Sequence, residues 1–172
     1  FQEFIAQDSF FLKAFSESYV IAISKSKDES TIKELNQLLH GVLEELKLHK
    51  QYAEHWGVKL DDHSANPSTL NYTKFLLETV SQGTMVEIIT AMTPCLRLYA
   101  WIGKTLEKDK IASENKYEEW IATYGDPTFE DLANSLELLL NKYSQEADNS
   151  RLFAIYKRAM ELELNFFQTY SP

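Results

Sequence analysis

The sequence predicts an all-α domain, a bundle of about seven helices, and three observations carry that prediction. Apolar residues recur at the three- and four-residue spacing of amphipathic helices along most of the chain. Only five glycines and four prolines occur in 172 residues, and they fall where helices start, stop or bend. No stretch alternates apolar and polar residues as a half-buried strand would. A single domain over 1–172 is expected from the length, and 44% apolar residues suffice for a real core.

The first helix covers 1–24, with Phe1, Phe4, Ile5, Phe11, Leu12, Phe15 and Tyr19 at helical spacing. The second covers 30–56, with Ile32, Leu35, Leu38, Leu39, Val42, Leu43, Leu46 and Tyr52 as its stripe. Gly57 follows and can take the left-handed conformation that closes a helix. Residues 60–66 are polar and read as a loop. Pro67 opens a third helix, where its missing N–H costs nothing, and this helix ends near Gly83. The fourth, 84–106, is apolar on most sides, through Met92, Leu96, Tyr99 and Trp101, which predicts a central position. Pro94 lies inside it, removes the hydrogen bond to Thr90 and predicts a kink. A polar connector spans 107–115. A short helix over 117–124 is closed by Gly125. Asp126-Pro127-Thr128 starts the next, with Asp131 three residues beyond Thr128 as a capping-box signal. The last helix, 150–170, carries Leu152, Ile155, Tyr156, Met160, Glu163, Phe166 and Phe167 on one side.

Composition excludes some functions. A formal net charge of -9 argues against a nucleic-acid surface, which needs clustered Lys and Arg. One cysteine cannot form an internal disulfide and is too few for a cysteine-based zinc site, so a reducing, cytoplasmic setting is expected. No apolar run approaches the roughly 18 residues of a membrane span. Neither a glycine-rich phosphate loop nor a nucleophile elbow is present.

Four features place polar or reactive groups on faces that should be core. Asp8 shares a face with Phe4, Phe11 and Phe15. It is either a rim residue, a structural hydrogen-bonding group or part of a site. Glu163 lies among Tyr156, Met160, Phe166 and Phe167. Unpaired, it should have a raised pKa, as suits a proton donor; the bland alternative is a buried ion pair with an arginine. Cys95 follows Pro94 on the most apolar helix. A lone cysteine there is usually a small core hydrophobe, but a proline bend often accompanies a pocket. Glu45 and His49 are four apart on one helical face. They read as a hydrogen-bonded structural pair or, with no second copy of the motif, as a weak metal-binding signal.

The order of these motifs is informative. The chain reads Gln7-Asp8-Ser9-Phe10-Phe11, Glu45-Leu46-Lys47-Leu48-His49 and Leu70-Asn71-Tyr72-Thr73. It continues Ala91-Met92-Thr93-Pro94-Cys95-Leu96-Arg97-Leu98-Tyr99, Trp120-Ile121-Ala122-Thr123-Tyr124 and Glu163-Leu164-Asn165-Phe166-Phe167. Taken together this resembles the TenA, or thiaminase II, family, in the subgroup that keeps an active-site cysteine. Residues 93–103 look closest to the form that in plants is fused to a phosphatase domain. The resemblance implies a heme-oxygenase-like helical bundle without heme, no cofactor, no metal and a homo-oligomer, commonly a tetramer. It implies hydrolysis of 4-amino-5-aminomethyl-2-methylpyrimidine to the hydroxymethyl pyrimidine in thiamin salvage, with slower cleavage of thiamin. A non-catalytic pyrimidine- or thiamin-binding protein on the same scaffold is the alternative.

Carried over by position, Cys95 is the expected nucleophile and Glu163 the acid/base at a ring nitrogen. Asp8 is expected to bind the pyrimidine amino group and orient the cysteine. Phe11, Tyr72, Tyr99, Tyr124 and Phe166 are expected to line the pocket, with Glu45 and His49 behind them. Many relatives carry Tyr at the Phe11 position, so a hydroxyl is missing there. The family also has a few dozen residues before its Gln-Asp pair, so further N-terminal helices are expected upstream of Phe1. The chemistry is coherent: thiolate addition to the ring turns a difficult displacement at a methylene into an elimination. A proton on the ring nitrogen makes the ring accept the nucleophile.

Overall fold

A computed structural model describes residues 2–109, 117–145 and 147–170. It contains seven α-helices: α1 Gln2–Lys25, α2 Glu29–His55, α3 Pro67–Gln82, α4 Met85–Lys108, α5 Glu118–Gly125, α6 Pro127–Ser144 and α7 Asn149–Gln168. Part of the loop predicted over 60–66 is a short 3₁₀ turn, Leu60–Asp62. No strand occurs among the described residues. The predicted connector 107–115 lies partly outside them, as does Phe1.

Side-chain caps set most of the helix starts. Asp28 accepts from the Thr31 N–H, Asn66 from Thr69 and Asp148 from Ser150, each meeting one of the free N–H groups of a first turn. At α4 the Glu87 carboxylate accepts from the Thr84 backbone N–H at 2.8 Å. The start of α6 differs from expectation. Asp126, not Thr128, is the cap: its carboxylate accepts from the Thr128 N–H at 2.7 Å, with Pro127 in the first turn, and Asp131 takes no part in it. Gly57 adopts a φ of 68°, the left-handed conformation expected after α2.

α4 is the centre of the bundle, packed on α5, α6 and α7, while α1 packs on α2 and α3. Every residue from Glu87 to Leu96 is buried, which is what an all-round apolar helix requires. By length and composition alone α4 is apolar enough to cross a membrane, contrary to the reading of the sequence, and here it forms the core of the bundle. Its C-terminal half departs from the central pattern, since Trp101 is 62% exposed. The helix runs unbroken through Pro94. At Gly103 it meets α5 so closely that an added Cβ would fall on the Tyr124 carbonyl carbon and the Gly125 nitrogen. This contact fixes Tyr124.

Gln7 locks α1 to the start of α3. Its amide oxygen accepts from Thr69 Oγ1 and the Asn66 N–H, at 2.8 and 2.9 Å, and its amide nitrogen donates to the Ser64 carbonyl at 2.8 Å. A wholly buried glutamine is tolerated because these groups are all paired. Asp8, the next residue, is thereby held facing the core.

Candidate active site

The helices bring together every polar residue singled out in the sequence. Asp8, on α1, is 2% exposed, and His49, on α2, is 1% exposed. His49 Nε2 lies 2.6 Å from Asp8 Oδ2 and Nδ1 lies 3.0 Å from the Glu45 backbone carbonyl. Burial pulls the His49 pKa down, but the hydrogen bond and charge of Asp8, with the charge of Glu45, raise it overall. Glu45 and His49 are thus linked through the backbone, not side chain to side chain as a structural pair would predict. The Glu45 carboxyl instead accepts a hydrogen bond from the Tyr124 hydroxyl. Burial pushes Glu45 up to about 7; His49 and Tyr124 oppose this and the Asp8 charge adds to it.

Glu163, on α7, is 1% exposed. The Tyr72 hydroxyl, from α3, donates to its Oε1 at 2.7 Å, and the Cys95 thiol, from α4, is near enough to favour its ionised form. No salt bridge reaches Glu163 among the described residues, so the arginine pair is not what holds it. Burial pushes its pKa up to about 8, against the pull of the Tyr72 hydrogen bond and the Cys95 thiol and with the Asp8 charge adding. Cys95 is 8% exposed. Burial first, then the charges of Glu163, Glu45 and Asp8, raise its thiol well above the usual value. The free protein therefore holds a neutral thiol beside a protonated glutamic acid near pH 7. Asp8 is hydrogen-bonded to His49, and both Glu163 and Asp8 act electrostatically on the thiol.

Aromatic side chains close the site on two sides. Phe11 and Tyr72 have ring centroids 4.6 Å apart, and Phe11 and Phe166 6.4 Å apart, around Glu163. Tyr99 and Tyr124 lie 5.0 Å apart, with Trp120 4.6 Å from Tyr124, towards Glu45. Burial first, then the titratable groups Asp8, Glu163, Cys95 and Glu45, raise the Tyr99 hydroxyl well above the usual value. Flat walls of this kind suit a planar ring, with stacking worth about 0.5–1.5 kcal/mol per pair beyond burial.

Sequence reasoning missed two participants. Tyr19 is wholly buried, its hydroxyl has no hydrogen-bond partner among the described residues, and Cys95 and Glu45 are its titratable neighbours. The Trp120 indole N–H is unpartnered in the same way. The available signal was a tyrosine on a core stripe, since a buried phenol normally finds a partner. Asp8, Glu45 and His49 bring one donor atom each within 4.8 Å of one another. Both His49 nitrogens are already in hydrogen bonds, so the ring serves here as a hydrogen-bonding group.

A helical bundle enclosing a thiol, three carboxyls and stacked aromatics defines a class of small-molecule site rather than a nucleic-acid or protein interface. Within that class the chain belongs to the TENA/THI-4/PQQC family, whose profile matches residues 1–171. It is 35% identical to the bifunctional TH2 protein, mitochondrial, of Arabidopsis thaliana, covering 97% of this chain and 31% of that protein. It is 29% identical to an aminopyrimidine aminohydrolase of Halalkalibacterium halodurans, covering 97% of this chain and 78% of that enzyme. The chain thus spans about a third of the plant relative and most of the bacterial one. Among solved structures it superposes on a TenA family transcription regulator from a Silicibacter species with a TM-score of 0.88 and 28% identity, covering 98% of this chain and 80% of that one. A TenA homologue from Pyrococcus furiosus, 19% identical with a TM-score of 0.87 over 98% of this chain and 82% of that one, shows the same fold.

Proposed function

We propose that this domain is an aminopyrimidine aminohydrolase, replacing the amine of an aminomethyl-pyrimidine by hydroxyl in thiamin salvage and cleaving thiamin more slowly. The observation that carries the reading is the buried Tyr72–Glu163 hydrogen bond beside the Cys95 thiol, between aromatic walls. The names of curated relatives support it.

In this reading Glu163 enters the reaction protonated and donates to a ring nitrogen, leaving a carboxylate beside the thiol. That carboxylate takes the Cys95 proton as sulfur adds to the ring, so the ring nitrogen keeps the proton Glu163 gave it, Glu163 is reprotonated by the thiol and charge does not accumulate. The amine, in its ammonium form, leaves the methylene as ammonia, water adds there with loss of one proton, and the sulfur departs as the ring-nitrogen proton passes to Glu163 and Glu163's proton returns to the thiolate. Tyr72 holds Glu163 in place throughout. Asp8 recognises the amino group, and Phe11, Tyr99, Tyr124 and Phe166 hold the ring. Ammonia release from the aminomethyl-pyrimidine tests the reading. Wild type should turn over and a folded Cys95→Ala variant should be inactive; full activity in that variant would sink it. If neither releases ammonia but both bind the pyrimidine, the non-catalytic alternative stands.

We also propose self-association in a reducing, cytoplasmic setting. The exposed Trp101, Leu138 and Phe153 side chains support association, and light scattering would read a single mass if it does not occur.

A further inference from the structure

His49 is the one buried histidine among the described residues, and the reaction outlined above does not use it. Its hydrogen bonds nevertheless settle its protons. The Glu45 backbone carbonyl, 3.0 Å from Nδ1, can only accept, so Nδ1 carries a hydrogen. The 2.6 Å contact between Nε2 and Asp8 Oδ2 needs one proton between its two atoms. With that proton on Nε2, an imidazolium faces a carboxylate. With it on Oδ2, a neutral ring accepts from a carboxylic acid. Both forms have zero net charge and differ only in where the proton sits along one short bond. The remaining arrangement, a neutral ring with hydrogen on Nε2 alone, would set the Nδ1 lone pair against the carbonyl oxygen.

We propose that His49 is a positioning residue that shares one fixed proton with Asp8, so that Asp8 faces the nucleophile as half of a neutral pair rather than as an isolated anion. The consequence is electrostatic. A lone buried carboxylate opposes thiolate formation, and Asp8 is one of the charges that act on Cys95. Other titratable groups meet the pair from each side. Glu45 and Tyr52 lie on the same helix as His49. Tyr72 lies on α3, Tyr99 on α4 and Tyr124 on α5. Glu163 and Tyr170 approach from α7 and its end. None of these is a cation, so His49 is the group placed to balance Asp8.

The inference rests on Cys95 being the nucleophile, and it has one readout independent of substrate. Nitrogen-15 NMR of histidine-labelled wild-type protein near neutral pH should show His49 protonated at Nδ1, with a far-downfield proton for the bond to Asp8. A neutral ring bearing its hydrogen only on Nε2 would overturn the proposal. The second arm is His49→Gln, which keeps an N–H donor towards Asp8 but cannot hold the shared proton. Ammonia release should fall at least about tenfold in kcat, with KM within about twofold, and the rising limb of its pH profile should move up by about one unit. A folded variant with an unshifted profile and unchanged kcat would refute the role. If wild type itself releases no ammonia, the hydrolase reading fails and the NMR signature alone decides the neutral pair. If the variant fails to fold, the same NMR result decides.

Discussion

Asp8, on α1, meets an imidazole from α2 2.6 Å away, whereas Glu163, on α7, meets a tyrosine hydroxyl and a thiol. Both carboxyls are almost wholly buried. An imidazole can carry a full positive charge, while a hydroxyl and a thiol supply only dipoles. Hydrogen bonds from dipoles do not offset the loss of hydration of an ionised group in a low-dielectric core, so Glu163 keeps its proton up to about 8. What a buried carboxyl can do is decided by whether its neighbour carries charge. One side of this core is built to balance charge, and the other to hold a proton ready for transfer.

The sharpest way to break the contrast is Glu163→Gln. Gln keeps the shape and cannot deliver a proton, so ammonia release should fall by about 10³-fold, within the usual range for a general acid. A loss below about fivefold would remove Glu163 from the chemistry.

The next effect is on stability. Glu163 and Glu45 have folded pKa values raised to about 8 and about 7, so between their unfolded values and these the folded state binds more protons. Their contribution is greatest below the unfolded pKa and is lost as pH rises through the folded one. His49, also raised, has the same sign, losing its contribution as pH rises through its folded pKa. Urea unfolding should therefore show stability falling between roughly pH 5 and 8.5, by on the order of 1–4 kcal/mol, with the fall much reduced in Glu163→Gln. Exposed Asp28, Glu44 and Asp126, whose pKa values are lowered by hydrogen bonds from Lys142, Lys47 and Thr128, act the other way only at more acidic pH. A stability that rises steadily to pH 8.5 would contradict the assignment.

Tyr72→Phe sharpens the comparison from the Glu163 side. It removes a donor that favours the ionised form, so the pKa of Glu163 should rise further and activity should fall about tenfold, near 1.4 kcal/mol. A Glu163 pKa that falls in this variant, read from the pH profile, would be inconsistent with it. The smallest effect is expected at Tyr19→Phe, which deletes a buried hydroxyl with no partner among the described residues. Thermal unfolding of the free protein should be unchanged or improved by up to about 1 kcal/mol; a clear loss would mean that the hydroxyl is paired.

Much of the fold was legible because local rules suffice for it. Gly57, Pro67 and the apolar faces of α2 and α7 depend only on neighbours in sequence. The start of α6 at Asp126-Pro127-Thr128 is legible in the sequence, but the Thr128–Asp131 capping box is not formed because Asp126 and Thr128 are both good caps, and the backbone chooses between them. Glu163 and Cys95 stood out because a polar group on an apolar stripe is visible to periodicity. The Asp8–His49 bond was not, since it joins residues 41 apart on two helices whose crossing no local pattern specifies. For the same reason the sequence could not show that the Tyr72 hydroxyl meets Glu163. Tyr19 escaped because a tyrosine on a core stripe counts as apolar until its hydroxyl is located.

Infrared difference spectroscopy across a pH titration tests the central contrast most directly, because a protonated carboxyl in an apolar core gives a separate carbonyl band. The account predicts a band that persists through pH 7 and disappears around pH 8, and whose last component to titrate is absent in Glu163→Gln. A band gone by pH 6, or one unchanged in that variant, would contradict it.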